Sequence, residues 1–310
     1  MNQPFNRRTF LPPAVALAAG TAFSAHAAGT RRAMTLGFAL YGAKGVKLEA
    51  ILPRLKALGF EAVELCVAPG WGYEPEACSP QRRKEIAAQL REAGLRLPCL
   101  MEHATLEGAA AEQKTVCERL QRAAEMGHAL SPDAPPIVES VMGGKPNTWE
   151  QVRNQYRDAL GAWATVAERT KTVLAVKPHR LNAVNLPENA VWLIQQIASP
   201  WLKLVYDFGH FVHRGMTLET TLDMMLPHTA FVHMHDTVED KGRVQFVIPG
   251  ESRQIDYVAL FRRLDQAGYG GDACCEISSM VFKQPGYDPF AAAEICARNM
   301  LAALRQAGLR

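Results

Sequence analysis

The sequence predicts an α/β chain folded as a single (β/α)₈ TIM barrel. Two observations predict it. Beyond an atypical leader, short apolar runs bounded by turn residues alternate eight times with longer stretches of helical period. The polar residues able to do chemistry stand at the C-terminal ends of many of those runs, not at one switch point. No GxGxxG follows the first run to suggest a dinucleotide-binding sheet. A chain of 310 residues, 48% hydrophobic and 21% charged, suits one large domain with a full core.

The strands are expected at Thr35–Leu40, Ala62–Val67, Arg96–Met101 and Pro136–Val141, then at Val173–Val176, Lys203–Tyr206, Ala230–Met234 and Asp272–Ile277. The helices between them are Leu48–Leu58, Gln81–Ala93, Glu112–Met126 and Trp149–Arg169, then Pro187–Ile197, Leu218–Leu226, Asp256–Ala267 and Pro289–Ala307. Gly59, Gly94, Gly127, Gly268 and Gly308 follow helix ends, where a C-terminal cap favours glycine. No linker or low-complexity stretch divides the chain after the leader.

The leader itself does not read as fold. Asn6-Arg7-Arg8-Thr9-Phe10-Leu11 opens a mildly apolar run to Phe23, and Ala25-His26-Ala27 is a small-x-small site. This resembles a bacterial Tat signal peptide over 1–27, cleaved after Ala27, leaving a mature domain of 28–310 in the periplasm. The run is too short and too rich in Ala, Gly and Pro to span a membrane well, and no other stretch is long and apolar enough. The formal charge is +3, about +1 without the leader, so nothing points to nucleic acid or to an anionic membrane surface. The seven cysteines form no CxxC or zinc spacing; most fall on strands as small apolar residues, and no disulfide is expected.

In such a barrel the strand ends converge on one mouth. They carry Glu102 and His103, then Glu139, then Lys177, His179 and Arg180, then Asp207 and His210, then His233, His235 and Asp236, and finally Glu276. Asp207, His233 and Glu276 come from three consecutive strand ends. One imidazole and two carboxylates suit a single divalent ion: Mn²⁺, Mg²⁺, Co²⁺ or Zn²⁺. The alternative is a hydrogen-bonded polar cluster that closes the mouth. Gly143-Gly144-Lys145 either grips a substrate oxygen through backbone N–H groups or is a turn. His128 and His228, at helix ends, read as structural.

Several motifs together resemble the xylose isomerase-like barrel superfamily. Gly59-Phe60-Glu61-Ala62-Val63-Glu64-Leu65 is similar to its second strand. Val205-Tyr206-Asp207-Phe208-Gly209-His210 resembles its Asp-x-x-His strand, and His233-Met234-His235-Asp236 its His-x-x-Asp strand. Pro249-Gly250, Ile255-Asp256-Tyr257 and Ala267-Gly268-Tyr269 lead into Glu276 as its last repeat does. The resemblance implies metal ligation by Asp207, His233 and Glu276, and substrate contact by His210. It implies a sugar isomerase or epimerase, which removes the proton beside a carbonyl through a metal-stabilised enediolate. His103, His179, Arg180 and His235 are the further substrate-binding candidates. Family members often pair, so a homo-oligomer is compatible with it, although no interface signal stands out.

The fifth strand departs from that pattern. Ala175-Val176-Lys177-Pro178-His179-Arg180 carries Lys177 where the family has a metal-binding, proton-moving Glu. A protonated lysine repels a cation. Either Glu139 or His179 restores the ligand set, or the metal is lost. Lys177 then serves as a base, as an oxyanion stabiliser, or as an ion-pair partner of Glu139. With Glu276 and Glu139 it completes the catalytic candidates. The expected substrate is a small unphosphorylated carbohydrate. Other readings are a lyase that eliminates from a keto-glycoside and a non-catalytic carbohydrate-binding barrel. A related nuclease would need an Asp-x-His after the seventh strand, and no histidine follows His235.

Overall fold

The computed structural model describes residues 33–310, so the signal read at 1–27 lies outside the described residues. β1 (Thr35–Ala39), β2 (Ala62–Cys66), β3 (Arg96–Met101), β4 (Ile137–Val141), β5 (Leu174–Lys177), β6 (Leu202–Tyr206) and β7 (Thr229–Met234) stand side by side. β10 (Asp272–Cys275) closes the ring between β7 and β1. Every barrel pair is parallel, as βαβ crossovers require. The eight strands fall on the eight predicted runs, with ends shifted by a residue or two.

The wall is closed by α1 (Leu48–Ala57), α2 (Pro80–Glu92), α3 (Ala110–Leu130), α4 (Trp149–Thr170), α5 (Pro187–Ile197), α6 (Leu218–Met225), α7 (Tyr257–Gln266) and α9 (Pro289–Ala307). Their starts follow local chemistry. Ser79, Thr217, Asp256 and Asp288 each accept a backbone N–H of the first turn through the side chain. Gly59, Gly94, Gly268 and Gly308 all have positive φ at helix ends, as expected. Gly127 is different. α3 runs through it to Leu130, three residues beyond a cap at that position. A Cβ there would lie 2.9 Å from Pro136 Cγ, so glycine lets α3 approach the start of β4.

Two elements were not legible. β8 (Asp236–Asp240) and β9 (Arg243–Val247) form an antiparallel hairpin outside the barrel. Asp240 pairs with Arg243, leaving Lys241-Gly242 as a two-residue loop with φ of 50° and 77°. Their charged residues hid the strand pattern. A short α8 (Ser279–Phe282) follows β10. The Gly143-Gly144 segment is a packed turn: Gly143 accepts Ala183 N–H through its carbonyl (3.0 Å), and a Cβ on Gly144 would press on Tyr156 and Ala183. It does not line the mouth.

Strand alternation sorts the barrel interior into layers. Cys99, Ala175, Val205, Phe231 and Cys274 form a separate apolar cluster, the floor. Two residues further along their strands the interior changes character, to Met101, Lys177, Asp207, His233 and Glu276. The main core lies between the strands and the helices. All seven cysteines are free thiols, and no helix among the described residues is long and apolar enough to cross a membrane.

Candidate active site

The parallel strands carry the predicted residues to one end of the barrel. Lys177 is the last residue of β5, and His233 is the fifth residue of β7. Asp207 and Glu276 immediately follow β6 and β10. Donor atoms of Asp207, His233 and Glu276 all lie within 4.8 Å of one another. These three of the expected ligand candidates are therefore brought together, and Glu139, the fourth, falls in a different group. Two further groups share members with these three: Glu64, Glu139 and His233 below, and Asp207, His210 and His235 above.

Lys177 sits among them. Its Nζ donates to Glu276 Oε2 at 2.6 Å and lies 3.0 Å from His233 Nδ1. The ion pair that Lys177 makes is with Glu276, not with Glu139, the partner offered as one alternative from the sequence. His233 bridges the layers, with Nδ1 2.9 Å from Glu276 and Nε2 2.8 Å from Glu64. His235 Nδ1 is held by Asp207 Oδ2 at 2.6 Å. Glu139 lies beside Glu64 and His233, and neither of its oxygens has a hydrogen-bond partner in the protein.

These contacts set the protonation states. Burial opposes the charge on Lys177, but Glu276, Glu139 and Asp207 outweigh it and hold the amine firmly protonated. That disfavours Lys177 as a base. Burial likewise raises Glu276, but His235, Lys177 and His233 reverse it and keep the carboxylate ionised. Burial opposes the charge on His233, yet Glu64 and Glu276 lift it to about 10. Glu139 is pushed up by burial to about 8 despite Lys177, so it is neutral at pH 7. Burial, aided by the charge of Lys177, drops His179 to about 3 and His103 to about 4, and it holds His210 well below the usual range.

Above this layer opens a cavity of about 200 Å³, lined among others by Lys177, Glu276, His103, His179, His210 and His235. Larger hollows lie elsewhere. One of about 560 Å³, at the opposite end of the barrel beside Arg96 and Phe231, has no such convergence of groups. The neutral rings crowd together, with His179 and His210 centroids 4.1 Å apart. Both His210 nitrogens are buried without a hydrogen bond in the protein, although Nε2 lies 3.4 Å from Asp207 Oδ2. Arg180 does not line the cavity; it donates to the Gly209 and Val212 carbonyls and ties the loop after β5 to the one after β6. Asp236 takes the N–H groups of Thr237, Gly250 and Ser252 and so fixes the loop beyond the hairpin.

Three parts of the mouth escaped the sequence reading. Phe246, from β9, packs against His210 and His235 at 5.6 and 5.0 Å and forms one wall. Tyr41 stacks on Trp71 at 5.0 Å, and Lys44 lies over the Trp71 ring. Glu64, the partner of His233, is the third. Its signal was a lone charge in the apolar run of β2, on the same interior face as Cys66.

A family model described as the xylose isomerase-like TIM barrel matches residues 52–299. The chain belongs to that family. Among curated proteins no sequence match is found. This xylose isomerase-like barrel is similar in structure to a xylose isomerase-like TIM barrel protein from Mycobacterium smegmatis in complex with magnesium. That pair has TM-score 0.65 and 16% identity, covering 90% of this chain and 97% of the other. It is similar to 3-keto-D-glucoside 4-epimerase from E. coli, with TM-score 0.65 and 19% identity over 88% and 99% of the two chains. It is also similar to D-psicose 3-epimerase from Clostridium cellulolyticum H10, with TM-score 0.68 and 14% identity over 89% and 98%. At these identities the likeness is one of fold.

The divalent ion expected at the mouth finds its donors but not its space. Two of the three donors, Glu276 and His233, are already joined by the Lys177 ammonium. In the two other groups the closest donors are joined by hydrogen bonds, His233 to Glu64 and His235 to Asp207. As arranged, these side chains do not fit the metal.

Proposed function

We propose that the chain is an enzyme that moves the proton on a carbon beside a carbonyl of a small, unphosphorylated carbohydrate, as an isomerase or epimerase does. The observation that carries this is the Lys177–Glu276 pair facing the cavity: a fixed cationic donor and an ionised carboxylate 2.6 Å apart. Lys177 donates an N–H to the carbonyl oxygen and stabilises the negative charge that forms there. Glu276 Oε1, the oxygen turned away from Lys177, takes the neighbouring proton. The C–H bond breaks, an O–H bond forms on Glu276, the C–H electron pair becomes a C=C bond, and the π pair of the carbonyl moves onto the oxygen beside Lys177. A proton delivered by water to the other face gives the epimer; return of the proton to the former carbonyl carbon, as the hydroxyl proton of the deprotonated carbon passes to the oxygen beside Lys177, gives the isomer.

His210, kept neutral, offers one N–H and one lone pair to hydroxyl groups, and His179, whose Nδ1 accepts the Leu181 N–H, offers its Nε2–H. Tyr41 offers an aromatic face at the mouth. The epimerases of similar fold support the substrate class. Export belongs to the same proposal, since the leader would place the enzyme where sugars are unphosphorylated; a periplasmic chain beginning at Ala28 checks it. The main test is incubation of the protein with keto-sugars in D₂O, followed by NMR. Deuterium entering the position beside the carbonyl, and lost in Glu276→Gln, is the expected result. No exchange into any keto-sugar tested sinks the reading.

A further inference from the structure

We infer that the Lys177 ammonium stands in for a divalent ion at this centre, so that the chain keeps the donor set of a metal site and works without the metal. Position is the first observation. Glu276 Oε2 and His233 Nδ1 lie 2.9 Å apart, and Lys177 Nζ lies 2.6 and 3.0 Å from them, beside both atoms through which these side chains would hold an ion. An ion taking both atoms from the same side would overlap Nζ. From any other side it would meet a like charge at close range, with little water to screen it.

Connectivity is the second. Lys177, Asp207, His233 and Glu276 come from β5, β6, β7 and β10, four neighbouring strands of the closed sheet. Lys177 therefore stands on the strand next to the three that carry the donors, where a fourth donor side chain would start. It is 1% exposed, and Glu276 holds its head group at the centre. Charge is the third. Three buried acidic side chains, Glu64, Asp207 and Glu276, meet at this point, and a built-in cation answers part of the need that an ion would otherwise meet. Carbonyl polarisation then comes from an N–H donor on a strand end, with no exchangeable ligand.

This rests on the proposed function only in taking the mouth as the active centre. Its test uses no substrate, so the two can fail separately. Wild type, Lys177→Glu and Lys177→Gln are stripped with EDTA, dialysed against Mn²⁺ and assayed by mass spectrometry for bound metal, with thermal midpoints recorded with and without Mn²⁺. The wild type is expected to hold none and to show one midpoint in both conditions. Lys177→Glu places a carboxylate at that fourth position and is expected to bind one Mn²⁺ per chain, with a midpoint that rises with Mn²⁺ and falls with EDTA. Should Lys177→Glu fold poorly, Lys177→Gln, neutral and close in size, uncovers the same three donors and is expected to gain Mn²⁺ binding over wild type. A wild type that takes up one Mn²⁺, lost in Asp207→Ala, overturns the inference. So does a folded Lys177→Glu that takes up none.

Discussion

The floor and the layer above it in the barrel interior share one backbone pattern and opposite chemistry. Along β5 the interior passes from Ala175 to Lys177, along β7 from Phe231 to His233, and past the end of β10 from Cys274 to Glu276. One step of two residues turns an apolar plug into a set of buried charges. The floor is held by packing, where area removed from water counts directly. The charged layer is held by pairing, which adds little net stability but costs several kcal/mol to break from one side. A sequence maintains such a layer for what it does, and the two levels should respond differently to substitution.

The largest expected effect is in the charged layer. Lys177→Met keeps the length of the side chain and removes the cation between Glu276 and His233. Deuterium exchange into a keto-sugar substrate should fall by about 10²–10³-fold, the loss typical of removing one donor to a developing oxyanion. The folded protein should also lose about 3–5 kcal/mol, because Glu276 is left buried without its closest partner. Both are read on one preparation, by NMR and by urea unfolding. An exchange rate within tenfold of wild type would remove Lys177 from the chemistry.

The second prediction concerns the floor. Phe231→Ala deletes its largest side chain and should cost about 3–5 kcal/mol in urea unfolding. The Phe231 ring meets His233 edge-on at 5.1 Å, so some loss of rate is expected, but less than tenfold in the folded fraction. If this variant loses as much activity as Lys177→Met while keeping its stability, the division between floor and charged layer is wrong.

The same division explains how much was legible in the sequence. The barrel was legible because each strand is a short apolar run and each helix a longer amphipathic one, and the convergence of Asp207, His233, Glu276 and Lys177 followed from their places at strand ends. The partner of Lys177 was not. Glu139 and Glu276 are both near in the fold, and the choice depends on which way one flexible side chain turns. Glu64 was passed over because its position counts as floor or wall until the register of β2 is known. The β8–β9 hairpin was missed because Glu239, Asp240, Lys241 and Arg243 break the apolar alternation, though Lys241-Gly242 is a turn that only a hairpin needs. Gly127 shows the reverse error, where a local rule for helix ends gave way to packing against Pro136.

The smallest expected effect sharpens the role of pairing against that of burial. Glu276 and Glu102 both follow barrel strands and both are buried. Glu276 has cationic neighbours and is held well below the usual carboxylate range. Glu102 has Arg119 on one oxygen and no protein partner on the other, and burial lifts it to about 7 despite that arginine. A pKa raised in the folded state means that the folded chain holds the proton more tightly than the unfolded one. The stability this gives is complete below the unfolded value of about 4.5 and is lost as pH rises through about 7. Glu102→Gln cannot titrate, so its urea midpoint should fall less than that of wild type between pH 5 and pH 8, by about 2–3 kcal/mol in free energy. Equal slopes in the two proteins would mean that the single Arg119 contact is enough to keep a buried carboxylate ionised.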